Sequence, residues 1–125
     1  MQFVDLKRQQ ALIRPQIETN LMAVLDHGQY VMGPEIERLE LKLADLCGVK
    51  HAIGCASGTD ALLMALMAYD ISPGDGVFTS PFTFIATAEA IRLVGATPIF
   101  VDIEPDSFNI DPQALAIAVE AAVQG

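Results

Sequence analysis

The residues best suited to chemistry are Ser57, Gly58 and Thr59, in the run Ala52-Ile53-Gly54-Cys55-Ala56-Ser57-Gly58-Thr59-Asp60-Ala61-Leu62. The run reads as a short buried strand, a stretch of small polar residues, and then the start of an apolar helix. At such a junction the first backbone N–H groups have no intrahelical partner, and the helix dipole adds partial positive charge. The combination suits an anion, most often a phosphate. Ser57 or Thr59 can cap the helix and donate a hydroxyl, while Gly58 leaves the backbone open to close approach. A cap that binds nothing is the commoner use of this pattern. The turn is also neither a Walker A loop, which needs Gly-Lys-Ser/Thr, nor the Gly-x-Gly-x-x-Gly dinucleotide fingerprint.

Phe82 and Phe84 follow Pro81. Either ring can belong to a core, or it can stack on a planar ligand. Tyr30 lies in a loop between two glycines and either packs or lines a binding mouth. Asp102 and Glu89 read mainly as a turn cap and a solvated helix residue. His27 and His51 stand isolated, so neither suggests an acid–base pair. Cys47 and Cys55 read as reduced, partly buried thiols, too few for a zinc site.

The elements that must position these residues follow from the periodicity. Leu12, Ile13, Ile17, Leu21, Val24 and Leu25 recur at helical spacing over residues 5–27, with Pro15 starting or kinking the helix and Gly28 ending it. A loop over 29–34 leads into a second helix with Pro34 in its first turn, Glu35 and Glu37 near its positive end, and Gly48 after its end. Strand and helix then alternate. A strand is expected at about 51–55, a helix from Ser57 to Tyr69, a turn at 72–76 and a strand at 77–79. A helix over 83–94, a strand at 98–101 with Asp102 at its carboxyl end, and a helix from Asp111 and Pro112 to Val123 complete the chain. This alternation predicts an α/β fold with a mostly parallel sheet flanked by helices, whose ligands gather at the carboxyl ends of the strands. Ser57–Thr59, Pro81–Phe84 and Asp102 all fall there.

With 125 residues the chain is long enough for one modest domain. A hydrophobic fraction of 52% with few aromatics suits a parallel sheet covered on both faces, or a piece of a larger protein. A net charge of −9 and the lack of a basic stripe argue against nucleic acid as a partner. The longest apolar runs stop well short of a membrane span, and the first residues lack the order of a signal peptide. A soluble, cytoplasmic protein is expected.

Several motifs occur together and in order: Asp5-Leu6-Lys7-x-Gln9-Gln10, His27-Gly28-Gln29-Tyr30-Val31-x-Gly33-Pro34-Glu35, Ser57-Gly58-Thr59-Asp60-Ala61-Leu62, Gly74-Asp75, Pro81-Phe82-Thr83-Phe84-Ile85-Ala86-Thr87-Ala88-Glu89 and Gly95-Ala96-x-Pro98-x-Phe100-Val101-Asp102-Ile103. In these the chain resembles, along essentially its whole length, the DegT-type family of pyridoxal-phosphate (PLP) sugar aminotransferases. Within the family it is most similar to transaminases acting on a 3-keto UDP-GlcNAc-uronic acid for O-antigen synthesis. The resemblance implies the type I aminotransferase fold, with residues 1–125 as the N-terminal segment of the large PLP-binding domain. The remainder of that domain and a small C-terminal domain are then absent. It further implies a PLP phosphate at Gly58, Thr59 and Asp60, Phe84 stacked on the pyridine ring, and Tyr30 near the substrate entrance. The implied partners are a nucleotide-sugar substrate, an amino-acid donor (glutamate is expected) and a second subunit in a homodimer. The Schiff-base lysine and the aspartate facing the pyridinium nitrogen belong to the missing part, and Lys7, Lys42 and Lys50 lie in no matching motif. The chain alone is therefore expected to be inactive. A PLP-dependent sugar dehydratase of the same family, or a non-catalytic fragment stable only with a partner, are the alternatives.

Overall fold

The computed structural model describes residues 3–124, which form two compact units meeting at the Gly54–Cys55 bond. The first unit contains two helices, α1 (Leu6–His27) and α2 (Pro34–Cys47). The Asp5 carboxylate caps α1 by accepting from the Arg8 N–H at 3.0 Å, and Gly28, at φ 66°, ends it in the left-handed conformation. Pro15 does not start the helix but lies inside it. Proline lacks an N–H, so one i→i−4 bond is missing there, while the Thr19 hydroxyl donates to the Pro15 carbonyl at 3.0 Å. Pro34 opens α2 and Gly48, at φ 66°, closes it. The apolar stripe expected along α1 exists, but no residue of α1 is buried. Among the described residues of this unit, only Ala44 contributes a buried apolar side chain.

Residues 51–55 do not form the expected strand. A strand is defined by its ladder, and no described segment pairs with this one. The Gly54 N–H donates instead to the Glu40 carboxylate at 2.7 Å.

The second unit contains α3 (Gly58–Ala68), β1 (Gly76–Thr79), α4 (Ala86–Leu93), β2 (Thr97–Phe100) and α5 (Pro112–Gln124). β1 and β2 pair in parallel, with Gly76 opposite Thr97 and Thr79 opposite Phe100. α4 is the crossover between them and packs on both strands and on α3. Its buried face, Ala90 and Ile91, meets Ala96, Val101 and Thr79 in a small core. Gly95, at φ 84°, turns the chain from α4 into β2, and a Cβ there would lie 2.6 Å from the Pro73 ring. Helix α4 starts three residues later than its periodicity suggests. The Phe82 N–H is held by the Ser80 hydroxyl at 3.0 Å, which keeps residues 80–85 as a turn. Asp111 caps α5, accepting from Gln113 and Ala114 at 2.8 and 3.3 Å. No described helix is long and apolar enough to cross a membrane.

Candidate functional site

The strongest candidate is the first turn of α3. Ser57 is its N-cap, in extended backbone, and the Ser57 hydroxyl accepts from the Asp60 N–H at 3.1 Å. The same hydroxyl donates to the Asp60 carboxylate at 2.9 Å. Its proton is therefore engaged, and Ser57 is not a free phosphate donor as the sequence suggests. The Ala61 N–H returns to the Ser57 carbonyl. Gly58 and Thr59 occupy the first two helical positions, and their N–H groups find no acceptor among the described residues. Apart from its chain neighbours and its own helix backbone, no described atom lies within 4 Å of where a Cβ would stand on Gly58, so this backbone is open to a ligand. Two outward N–H groups, the positive helix end and the nearby Thr59 hydroxyl suit a phosphate. The Asp60 carboxylate, in the same turn, adds negative charge that favours the helix end but opposes a second anion.

Beyond β1, the two rings of the 80–85 turn separate in character. Phe82 stacks on Phe108, with ring centroids 5.5 Å apart and planes inclined by 29°. Phe84 is 78% exposed and has no aromatic partner among the described residues, which leaves its faces open. Asp102, just past β2, accepts from the Ile103 N–H at 2.8 Å and is a turn cap. Glu89 is exposed on α4. Because β1 and β2 are parallel, the Phe84 turn and Asp102 leave the sheet at the same, carboxyl end. An apolar hollow between α3, β1 and α4, lined by Leu62, Leu66, Tyr69, Phe78 and Ile91, contains none of the candidate residues.

In the first unit Tyr30, 66% exposed, lies on the loop from Gly28 to Gly33. Two features shape that loop. Met32 has φ 51°, a left-handed conformation that costs a β-carbon residue about 1 kcal/mol or more. Gly33 is buried, and a Cβ on it would collide with the Gln29 carbonyl oxygen. His27, which looks isolated in the sequence, is in fact paired. Its Nε2 lies 3.2 Å from Glu35 Oε2, and its Nδ1 accepts from the Gln29 N–H at 3.0 Å. Arg38 Nη2 lies 2.6 Å from the other oxygen of Glu35. Burial pushes the Glu35 pKa up, but its own backbone N–H, His27 and Arg38 together outweigh that and hold it below the usual glutamate value. The signal for this cluster was the eight-residue step from His27 to Glu35 across two glycines, since tight turns bring such ends together. Cys47 and Cys55 are free, as expected, but both are exposed rather than partly buried. No group of three or more metal-ligating side chains occurs among the described residues.

With this geometry in place, residues 11–125 match the DegT/DnrJ/EryC1/StrS aminotransferase family. The chain belongs to this family. It is 50% identical over 119 residues to the UDP-2-acetamido-2-deoxy-3-oxo-D-glucuronate aminotransferase of Pseudomonas aeruginosa, which covers 95% of this chain but 33% of that protein. The crystal structure of a DegT DnrJ EryC1 StrS aminotransferase from Brucella abortus superposes with a TM-score of 0.91 at 47% identity, over 99% of this chain and 33% of that one. NtdA from Bacillus subtilis with bound cofactor PMP gives a TM-score of 0.78 at 37% identity, over 82% of this chain and 23% of that one. The chain thus spans about a third of the length of the first two, and its helices and parallel strands are those of the N-terminal part of an aminotransferase fold.

Proposed function

We propose that this chain is the N-terminal segment of the PLP-binding domain of a nucleotide-sugar aminotransferase. The whole protein would move an amino group from an amino acid, with glutamate the expected donor, to a keto sugar nucleotide for O-antigen or a related polysaccharide. The observation that carries the proposal is the open first turn of α3, with two unpaired N–H groups at the Gly58–Thr59 backbone, inside a chain of this family.

Each proposed role follows from what the side chain or backbone presents. The Gly58 and Thr59 N–H groups, with the Thr59 hydroxyl, bind the cofactor phosphate through charge-assisted hydrogen bonds. Asp60 serves indirectly, holding Ser57 as cap so that those two donors stay aligned. Phe84 offers an exposed ring to one face of the cofactor's pyridine. Tyr30, on its shaped loop, faces the incoming nucleotide sugar. PLP, when bound, supplies the electron sink that the transfer requires. Holding the proton that moves during transfer is not assigned to this chain, because Lys7, Lys42 and Lys50 lie outside the lysine motif of the resemblance. The exposed apolar residues of α1, including Leu12, Ile17 and Leu21, suit surface covered by the rest of a longer chain or by the partner in a homodimer. A cytoplasmic location fits the nucleotide-sugar substrate.

The test uses this chain and a product in which it is joined to the remainder of a family-length protein. Borohydride reduction with PLP is expected to label no lysine of the chain and one lysine of the longer product. That product is expected to release 2-oxoglutarate from glutamate when a 3-keto UDP-sugar is supplied. Specific labelling of Lys7, Lys42 or Lys50, or a longer product that eliminates water instead of transferring nitrogen, would overturn the proposal.

A further inference from the structure

The 28–33 loop is closed from both sides by contacts that the proposed chemistry does not explain. At its start His27 Nδ1 accepts the Gln29 N–H at 3.0 Å, which places the proton of the neutral ring on Nε2. That Nε2–H points to Glu35 Oε2 at 3.2 Å, on the first turn of α2 and therefore beyond the end of the loop. Arg38 holds the second Glu35 oxygen at 2.6 Å and also donates through Nε to the Pro34 carbonyl at 3.2 Å. Both His27 and Glu35 are only partly exposed, at 26% and 33% of their side chains. Between these fixed ends Tyr30, Val31 and Met32 are all exposed. The loop is held at both ends, and Met32 adopts a left-handed backbone at φ 51°, so these three solvated side chains sit on a defined backbone.

We propose that His27 and Glu35 are positioning residues, forming a clasp that closes the 28–33 loop and holds Tyr30 in a preformed orientation toward the nucleotide sugar. The ligand in this statement rests on the proposed function, whereas the clasp does not. Preforming the loop removes an ordering cost that would otherwise be charged to binding. Arg38 acts one step further away by fixing the Glu35 carboxylate. Glu35 lies in the first turn of α2, so its charge also favours that helix end. A fair test must separate the two effects. Glu35→Gln and Glu35→Ala lose the charge equally, but only glutamine retains an oxygen able to accept the His27 proton.

The experiment uses the chain as it stands. Limited chymotrypsin digestion reads opening of the loop by cleavage after Tyr30, with cleavage after Tyr69 in the second unit as the internal reference. Proteolysis of a transiently open segment tracks the population of the open form. His27→Ala and Glu35→Ala are expected to speed Tyr30 cleavage about tenfold, with Glu35→Gln restored to within about threefold of the parent. Because Tyr30 and Tyr69 are the only tyrosines, ring-labelled tyrosine gives two assignable NMR signals. The Tyr30 signal is expected to broaden or shift in the two alanine variants and to return in Glu35→Gln. UDP-N-acetylglucosamine at millimolar concentration is the ligand probe, and it is expected to perturb the Tyr30 signal of the parent chain. Equal Tyr30 cleavage in all four proteins, or Glu35→Gln as open as Glu35→Ala, overturns the clasp. Faster cleavage in the alanine variants with no effect of the UDP-sugar on Tyr30 supports the clasp and overturns the substrate-entrance reading.

Discussion

Replacing Ser57 by alanine removes both halves of one reciprocal contact, the Asp60 N–H accepted at 3.1 Å and the hydroxyl donated to Asp60 at 2.9 Å. Helix α3 has only eleven residues, a length at which an isolated helix is marginal in water, and none of its residues is fully buried. The cap therefore carries an unusual share of its local stability. An N-cap serine exchanged for alanine costs about 1 kcal/mol, which is about a fivefold change in the closed-to-open ratio. Ser57→Gly should cost only a few tenths of a kcal/mol, because without a methyl group water reaches the freed N–H. Native-state hydrogen exchange read at α3 amides such as Leu62 and Leu63 is the assay. Ser57→Ala should accelerate exchange there about fivefold and Ser57→Gly less than twofold, with β1 and β2 amides little changed. The same pair tests the assignment of phosphate donors. Ser57→Ala should weaken phosphate binding only through fraying of the turn, whereas Thr59→Val deletes a proposed donor and leaves the cap intact. Unchanged α3 exchange in Ser57→Ala, or equal effects of alanine and glycine, would refute the reasoning.

Three further outcomes follow from other positions. Gly95→Ala combines φ 84° with a Cβ 2.6 Å from the Pro73 ring, so a loss of about 2 kcal/mol or more is expected in urea unfolding. Asp111→Ala removes the acceptor for the Gln113 and Ala114 N–H groups and should cost about 1 kcal/mol, read as faster exchange confined to α5. Glu35 has a folded-state pKa below its unfolded value, so its contribution is present above the ordinary glutamate range and is lost as pH falls through the lowered pKa. The stability advantage of the parent over Glu35→Gln should therefore be flat near neutrality and shrink only on acidification, in urea midpoints taken across the acid range.

Local signals carried much of the fold. Gly28, Gly48 and Gly95 close their helices with positive φ, and Ser57 and Asp111 cap theirs through their side chains. These features depend on a few neighbouring residues, which is why spacing reveals them. The strand expected at 51–55 depends on a partner, and composition cannot say whether one is present. Gly54 takes the Glu40 carboxylate in place of a ladder. The start of α4 was missed for a similar reason, since the Ser80 hydroxyl competes for the Phe82 N–H in a way that apolar periodicity ignores. In the site, the first turn of α3 was legible as a serine-capped helix start with an open glycine backbone. The diversion of the Ser57 proton to Asp60 was not, because it depends on rotamers. Phe82 and Phe84 were indistinguishable until Phe108, distant in sequence, came to lie on Phe82. His27 looked solitary because its partner Glu35 lies across a folded loop.

The central claim is that the Gly58–Thr59 backbone at the start of α3 holds the phosphate of the cofactor. Amide NMR of the labelled chain, titrated in parallel with pyridoxal 5′-phosphate and with pyridoxal, tests it most directly. The account predicts that the Gly58 and Thr59 amide signals move on addition of the phosphorylated compound, that pyridoxal leaves them in place, and that Thr59→Val weakens the response. Equal responses to both compounds, or shifts confined to residues away from the first turn of α3, would contradict it.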